Sequence, residues 1–185
     1  MEREIPKPYL YLSLYFMKRY LLPLLAILYF TSCSDNNTSL EQKLREAVTE
    51  GEAGPKGYKT INLTELTDFE WERMYYFQPN EDKRSISDAI GFRWEGVEVK
   101  AGFRRLLFVK GEEVVSYVDY NYDEFPLALY GCHSDKWIYP SSRSQFATFK
   151  YCSGDSEVYT FIPVPCVEDI RELMEYNCPE KAAAE

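Results

Sequence analysis

The 185-residue chain has one histidine, His133, and no apolar run approaching 20 residues. A single histidine rules out mechanisms that need two, and it removes most metal sites. His133 follows Cys132 directly, and neighbouring residues on a strand point to opposite faces. We therefore expect His133 to be an exposed polar residue and not half of a catalytic dyad with Cys132. A membrane-spanning helix needs roughly 20 apolar residues, and the longest apolar stretch, 20–30, has 11.

That short apolar stretch has the layout of an export signal. Lys18 and Arg19 precede it, and the small polar residues Thr31 and Ser32 separate it from Cys33. Cations, a short apolar segment and small residues form the three regions of a removed signal peptide. The competing interpretation, an ordinary buried helix, is disfavoured by Pro23 near the start of the stretch.

The segment Tyr29-Phe30-Thr31-Ser32-Cys33 resembles the lipobox of bacterial lipoprotein signals. Phe30 stands where Leu is commonest, a departure familiar from lipoproteins of Bacteroides-like bacteria. The resemblance implies that Cys33 is diacylated and becomes the new N-terminus. Two acyl chains on one residue give stable membrane anchoring, where one chain does not.

These features predict four parts of the chain. Residues 1–32 combine a misassigned start with the signal peptide, because Glu2 and Glu4 do not suit a positive leader and Met17 directly precedes two cations. The true start is then Met17, and an unusually long leader is the alternative. Three further parts follow, namely a lipidated flexible tether (33–39), a single domain (40–178) and a polar tail (179–185).

The expected mature chain is acidic. From Cys33 onward it has 17 basic and 28 acidic side chains, which gives a formal charge of −11. Nucleic-acid binding is excluded, since phosphate contacts require clustered Lys and Arg. Electrostatic attraction to anionic lipid headgroups is excluded for the same reason, so the acyl chains are the only expected membrane contact.

Apolar periodicity predicts an α+β fold, with an antiparallel β-sheet and an N-terminal and a C-terminal helix packed on it. The hairpin loop around Gly111 is the clearest turn, and the strand before it is apolar on both faces, which predicts a central strand. The predicted helices are 40–50, 85–90 and 167–176, and the predicted strands are 58–66, 68–78, 103–109, 114–120, 136–139, 146–152 and 159–164.

The predicted strand 68–78 carries the most informative pattern. Strand periodicity places four aromatic residues on one face, and we expect them in the core: Phe69, Trp71, Tyr75 and Phe77. Glu70 and Glu72 share the opposite face. Two carboxylates so spaced suit hydrolysis or calcium binding, but the rest of neither site is visible, so a solvated strand face is the better interpretation.

This segment also resembles a pattern in small bacterial envelope proteins and lipoproteins, in which Phe-x-Trp-Asp precedes a Tyr-rich strand, a Pro and a short helix ending in Gly. The matching residues are Phe69, Trp71, Tyr75, Phe77, Pro79 and Gly91, with Glu72 in place of Asp. The resemblance covers about a third of the mature chain. It implies a fold and a compartment but no activity.

Four cysteines of the expected mature domain predict two disulfides, since an exported chain meets oxidising conditions. They are Cys132, Cys152, Cys166 and Cys178. Zinc binding is the competing interpretation, but no two of them are closely spaced. Pairing Cys132 with Cys152 is attractive, because both are equidistant from Ser142 in a predicted turn. The remaining pair would lie about 18 Å apart on a straight helix, beyond the reach of a disulfide. Either that helix stops early or the pairings cross.

Eleven tyrosines and three tryptophans of the mature chain exceed what a core of this size needs. An aromatic binding face is therefore an alternative to packing alone. We expect a non-enzymatic, lipid-anchored envelope protein without metal or cofactor, in the outer membrane of a Gram-negative bacterium. It would bind or block a partner protein, for example as an immunity-type inhibitor. The alternative is a carbohydrate-binding accessory lipoprotein that uses exposed Trp or Tyr.

Overall fold

Two β-sheets form the framework of the computed structural model, which describes residues 36–132, 137–176 and 178. The nine strands of these residues are β1 (Lys59–Asn62), β2 (Arg73–Phe77), β3 (Phe103–Lys110), β4 (Glu113–Asn121), β5 (Leu127–Leu129), β6 (Ile138–Pro140), β7 (Gln145–Thr148), β8 (Lys150–Ser153) and β9 (Ser156–Pro163). Their α-helices are α1 (Thr38–Thr49), α2 (Leu63–Leu66) and α3 (Lys83–Ile90), and 3-10 turns occupy Ser141–Arg143 and Val164–Glu175. The antiparallel α+β class expected from the sequence is confirmed.

The expectation of one sheet is wrong, because the strands divide between two. The first sheet has the antiparallel order β4-β3-β2-β6. The second has the order β1-β7-β9-β5, and β8 also pairs with β9. β5 joins β9 in parallel, the one parallel pair of strands in the described part of the chain. The predicted hairpin of 136–139 with 146–152 therefore does not form, since β6 and β7 belong to different sheets.

The predicted strand 146–152 is interrupted at Phe149, and Thr160 of β9 compensates for the break. The Thr160 hydroxyl donates to the Phe149 carbonyl at 3.1 Å and accepts from the Phe149 N–H at 3.0 Å. A buried backbone group without a partner is costly. The Phe149 carbonyl also accepts from the Thr160 backbone N–H at 2.9 Å, so the Thr160 hydroxyl supplies the partner that the Phe149 N–H would otherwise lack. The single long strand β9 therefore pairs with both β7 and β8.

The first sheet is covered on both faces, as predicted for its central strand. Leu106, Leu107, Phe108 and Val109 of β3 are all fully buried. β3 and β4 pair from Phe103–Asn121 to Lys110–Glu113. The loop between them has Gly111 at φ 59°, a left-handed conformation that glycine adopts without steric strain.

Three apolar clusters lie in successive layers. The largest lies between the sheets and beneath α1, and joins Met74 and Tyr76 to Phe146 and Phe161. A second lies on the other face of the first sheet, under α3 and the segment that contains Trp94. The third lies between the second sheet and the 3-10 segment Val164–Glu175. Burial on both faces explains why strands of both sheets lack a strict apolar–polar alternation.

α1 begins earlier than predicted, because Asn37 caps it. The Asn37 side chain accepts from the Leu40 N–H at 2.9 Å. Asn36 and Asn37 also bind β4: the Asn37 N–H donates to the Tyr117 carbonyl, and Asn36 Oδ1 accepts from the Asp119 N–H. The predicted tether 33–39 is therefore too long, since residues 36–39 belong to the folded domain.

Two other predicted elements change their bounds. The expected strand 58–66 ends at Asn62 and continues as the one-turn helix α2. The expected helix 85–90 begins at Lys83, because the Asp82 carboxylate caps it. The Ser85 N–H donates to that carboxylate at 2.7 Å, which lowers the Asp82 pKa. Gly91, at φ 87°, ends the helix as the pattern predicts.

Candidate functional site

The four aromatic residues of the motif do not share one face. Phe69 and Trp71 pack edge-on against Phe108 in the cluster between the sheets. Tyr75 and Phe77 lie in the cluster on the opposite face of the first sheet. The strand begins only at Arg73, so the alternation assumed from residue 68 does not hold across residues 71–73. Trp71, Tyr75 and Phe77 are buried, and Phe69 is partly buried.

The acidic pair of the same motif holds the β3–β4 loop. Glu70 forms an ion pair with Lys110 at 2.5 Å, and Glu72 accepts from the Gly111 N–H at 3.1 Å. The hydrogen bond from Lys110 lowers the pKa of Glu70. Both carboxylates border an open cleft of about 510 Å³ that Phe69 and Trp71 also line. These two carboxylates form neither a hydrolytic pair nor a calcium site, because Glu70 binds Lys110 and Glu72 binds the Gly111 N–H.

The four cysteines form two disulfides, as predicted, but not in the preferred pairing. Cys132 bonds Cys166, and Cys152 bonds Cys178, with Cα–Cα distances of 5.3 Å and 4.9 Å. The preferred pairing of Cys132 with Cys152 assumed a hairpin that does not exist. The pairings are therefore crossed. This was one of the two possibilities left open by the length of a straight helix between Cys166 and Cys178.

The crossed disulfides hold both ends of the C-terminal segment. The predicted α-helix 167–176 is instead a 3-10 segment from Val164 to Glu175, kinked at Ile170. Cys166 lies at its start, and Cys178 follows its end. The Cys152 N–H also donates to the Tyr176 carbonyl at 2.9 Å. The segment is thereby fixed over the outer face of the second sheet, where Val167 is buried.

Cys33, the predicted lipidation site, and His133 lie outside the described residues, as do Met17 and the tail 179–185. No helix in the described part of the chain has the length and apolar character to cross a membrane. Among these residues, no group of three or more His, Cys, Asp or Glu side chains is arranged to hold a metal ion.

A buried ion pair, which sequence inspection missed, lies on the outer face of the first sheet. Arg105 is fully buried and binds both carboxylate oxygens of Asp119, at 2.6 Å and 2.7 Å. Its remaining donors reach the carbonyls of Val97 and Glu98, and its guanidinium lies 4.4 Å from the centre of the Tyr117 ring. Four of its five N–H hydrogens have partners, so its role is to hold the loop 97–98 onto the sheet.

The preceding residue, Arg104, is in a different environment on the inner face of the sheet. Its guanidinium stacks on the Tyr122 ring, 3.4 Å from the ring centre. Its Nη1 donates to the Leu127 carbonyl at 3.3 Å, the guanidinium also interacts with the hydroxyls of Tyr76 and Tyr120, and its buried Nε has no hydrogen-bond partner. No carboxylate of the described residues lies within ion-pair distance of it.

Four tyrosines lie near this guanidinium, namely Tyr76, Tyr120, Tyr122 and Tyr130, and Tyr151 joins them through its bond to Tyr130. With Arg104 we call these five tyrosines the tyrosine cluster. The Tyr130 and Tyr151 hydroxyls bond each other at 2.8 Å, and the Tyr120 hydroxyl donates to the Leu127 carbonyl at 2.9 Å. Burial is the main cause that raises the pKa values of Tyr76, Tyr120 and Tyr130. These three hydroxyls are therefore neutral at physiological pH and able to donate.

Trp137 lies beside the tyrosine cluster and is exposed. Its side chain is 42% accessible, and its ring packs against that of Tyr76 with the ring centres 5.5 Å apart. Its backbone has φ 58°, an unfavourable left-handed conformation for an aromatic residue. The hydrogen bond from the Tyr76 N–H to the Trp137 carbonyl, at 3.0 Å, holds this conformation. Such strain is concentrated at functional sites.

Sequence reasoning found the signal for this site but not its members. The excess of tyrosines pointed to an aromatic face, yet Arg104 and Tyr122 lie in unremarkable sequence surroundings. They meet Tyr130 and Tyr151 only because the two sheets face each other. Trp137 is visible in the sequence as one of three tryptophans, but its exposure is not.

A smaller cavity, of about 360 Å³, lies where α1 ends near the second sheet. Lys59 lines it and donates its ammonium hydrogens to the carbonyls of Ala47, Val48 and Glu50. Burial of the ammonium lowers the Lys59 pKa. This lysine therefore completes the helix C-terminus, whose last carbonyls would otherwise lack partners.

No protein-family model matches the chain, no curated protein matches its sequence, and no solved structure matches its fold. The fold and site define it as a two-sheet α+β domain with two crossed disulfides and an exposed Trp beside a tyrosine-lined arginine.

Proposed function

We propose that this protein is a lipid-anchored, non-enzymatic envelope protein that binds or blocks a partner protein. The observation that carries the proposal is Trp137, a large aromatic side chain that is exposed on a strained backbone next to the tyrosine cluster. Exposing an indole and holding it at positive φ both cost free energy. If Trp137 binds a partner, burial of the indole in the complex offsets this cost.

The composition around Trp137 supports a protein partner. The residue types that dominate binding energy at protein interfaces are Trp, Tyr and Arg. Trp137, Tyr122, Tyr130 and Arg104 bring these three types together, and all four side chains are at least partly exposed. Tyr76 beneath the indole is buried, so the exposed ring has a rigid support. Little conformational entropy is then lost on binding.

The compartment follows from separate observations. The two disulfides are typical of exported proteins, since cytosolic thiols are kept reduced. The signal features before Cys33 and the resemblance to envelope lipoproteins support lipidation of that cysteine, with the outer membrane of a Gram-negative bacterium as the destination. The membrane contact is then made by the acyl chains alone.

The charge of the expected mature chain sharpens the choice of partner. With 28 acidic and 17 basic side chains, this domain is attracted to cationic proteins and repelled from anionic ones. An immunity-type inhibitor that covers a cationic toxin has these electrostatics. Acidic groups at the rim of the interface would chiefly accelerate association, while Trp137 would limit dissociation.

Carbohydrate binding is the second candidate, and the cleft beside Phe69 favours it. That cleft combines two aromatic side chains with hydroxyl groups and carboxylates, the mixture of apolar and polar groups found in small-ligand sites. Its lining includes Thr64, Thr67, Phe69, Trp71, Ser141 and Ser142. Trp71 is, however, only 6% exposed, and its Nε1–H already binds the Thr67 hydroxyl.

Site-specific photo-crosslinking in intact cells tests the proposal. A benzoylphenylalanine at position 137 should crosslink one defined envelope or incoming protein. The matched control carries the same group at Val97, which is 50% exposed on the other side of the first sheet. Crosslinking of the same proteins from both positions, or of none from position 137, would reject Trp137 as the anchor of a protein interface.

A further inference from the structure

The two neighbouring arginines of β3 differ in how their donors are used. An arginine side chain has five N–H hydrogens in a planar fork. Arg105 uses its fork on a carboxylate and two carbonyls. Arg104 donates to the Leu127 carbonyl and interacts with the hydroxyls of Tyr76 and Tyr120, but its Nε is an unpartnered buried donor. Since a buried polar group without a partner is rare in folded proteins, the environment of Arg104 is incomplete as it stands.

The charge of Arg104 is also uncompensated within the described residues. A partly buried cation in a protein interior normally has an anionic partner. The domain has a large excess of carboxylates, yet among the described residues none pairs with this guanidinium. Stacking on Tyr122 stabilises the cation and fixes the plane of the fork. The fork is therefore preorganised, with its charge available.

The groups around Arg104 define the ligand chemistry. A guanidinium fork matches a planar acceptor with two oxygens. The cluster contains one cation only, which suits a monoanion and not a phosphate, since phosphate sites usually combine several positive groups. The overall negative charge of the domain likewise disfavours polyanions.

We propose that the Arg104 guanidinium, stacked on Tyr122, binds a carboxylate group of the ligand that the Trp137 face receives. This inference rests on the proposed function, because it names the group that the partner contributes at that face. The carboxylate can come from an acidic side chain of a peptide or from a sugar acid, and both present the same two oxygens to the fork.

Nuclear magnetic resonance of the arginine Nε–H groups in the purified full chain tests the site directly. The probes are N-acetylglutamate amide, which mimics a peptide side chain, and glucuronate, which mimics a sugar acid. Their uncharged counterparts are N-acetylglutamine amide and glucose. We expect a saturable shift of the Arg104 signal with a dissociation constant on the order of 1 mM for at least one carboxylate. The Arg105 signal, whose donors are occupied, is the internal control and should not move.

Two variants keep the test independent of folding problems. Arg104→Lys retains the charge but not the fork and should weaken probe binding about tenfold. Tyr122→Leu removes the ring on which Arg104 stacks and should weaken probe binding as well. Stronger binding of glutamate amide supports a peptide source, and stronger binding of glucuronate supports a sugar source.

Three results would overturn the inference. One is the absence of a saturable shift up to about 100 mM of either carboxylate, far above the affinity expected. Another is an equal shift with the uncharged counterparts. The third is a shift of the Arg104 signal by Asp135→Asn without any probe, because a carboxylate of the chain would then already occupy the fork. If crosslinking from position 137 succeeds while the probes fail, the protein interface stands and only the carboxylate site is rejected.

Discussion

Arg104 and Arg105 are neighbours on one strand but project to opposite faces of the first sheet, and among the described residues a carboxylate binds Arg105 but not Arg104. Asp119, which pairs with Arg105 across β3 and β4, places its side chain on the same face as that arginine. Arg104 pairs with Tyr120 and faces the space between the sheets. Strand alternation thus separates a structural arginine from a candidate binding arginine within two residues.

Breaking the buried pair should destabilise the domain strongly. Asp119→Asn should lower the free energy of unfolding by about 3 kcal/mol, because it leaves the fully buried Arg105 cation without its anion. Urea denaturation measures the loss. The exposed pair of Glu168 and Arg171 is the control, and Glu168→Gln should leave stability nearly unchanged. Equal losses of stability in Asp119→Asn and Glu168→Gln would contradict a structural role for the buried pair of Arg105 and Asp119.

Trp71 and Trp137 should respond in opposite ways to truncation. Trp71→Ala removes a buried side chain packed on Phe108 and should cost roughly 3 to 5 kcal/mol, with a large fall in Tm or failure to accumulate. Trp137→Ala should leave Tm nearly unchanged while abolishing binding of the partner protein. If Trp71→Ala kept the wild-type Tm but lost partner binding, the motif would be a binding face.

The disulfides should be found in the crossed arrangement. Peptide mapping of the non-reduced protein should join Cys132 to Cys166 and Cys152 to Cys178, and none of the four thiols should be alkylated before reduction. The bonds close loops with sequence separations of 34 and 26, so loss of either should cost about 3 to 4 kcal/mol by the chain-entropy model. A peptide that joins Cys132 to Cys152 would contradict the structure.

Stability should decline at alkaline pH through the buried tyrosines. Burial raises the pKa of Tyr120 in the folded state, so its contribution to stability is intact below about pH 10, where the unfolded tyrosine begins to ionise. Above that pH the contribution is lost progressively as the pH rises toward the folded pKa. Tyr120→Phe should lose about 1 kcal/mol at neutral pH with its bond to Leu127, but its stability should fall less steeply between pH values of about 9 and 11. If the stabilities of the wild type and of Tyr120→Phe fell in parallel with rising pH, Tyr120 would not be the source of the alkaline loss.

The anchor is tested at Cys33. Cys33→Ser should move the protein from the membrane fraction to the soluble envelope or the medium, because the acyl chains are its only strong membrane contact. Fractionation followed by immunoblotting measures the change, and the mature N-terminus confirms signal cleavage. Membrane association of a cleaved Cys33→Ser protein would remove the basis for lipidation.

Local patterns in the sequence were sufficient for much of the secondary structure. The β3–β4 hairpin, the helix that ends at Gly91 and the existence of two disulfides follow from short-range periodicity, turn chemistry and cysteine count. Each depends on residues within about ten positions of one another or on composition. Errors at element ends came from capping side chains, as with Asn37 and Asp82, which begin helices before the apolar pattern does.

Tertiary structure alone decided how the elements combine. The split into two sheets separates β6 from β7, and this split reverses the disulfide pairing that local symmetry suggested. The aromatic motif is divided between two clusters because Phe69 and Trp71 precede β2, so strand alternation does not extend to them. The approach of Tyr130 to Arg104 likewise depends on the two sheets facing each other, a contact between distant parts of the chain. Short-range periodicity carries no information on such contacts, because it records which residues are buried and not which residues they are buried against.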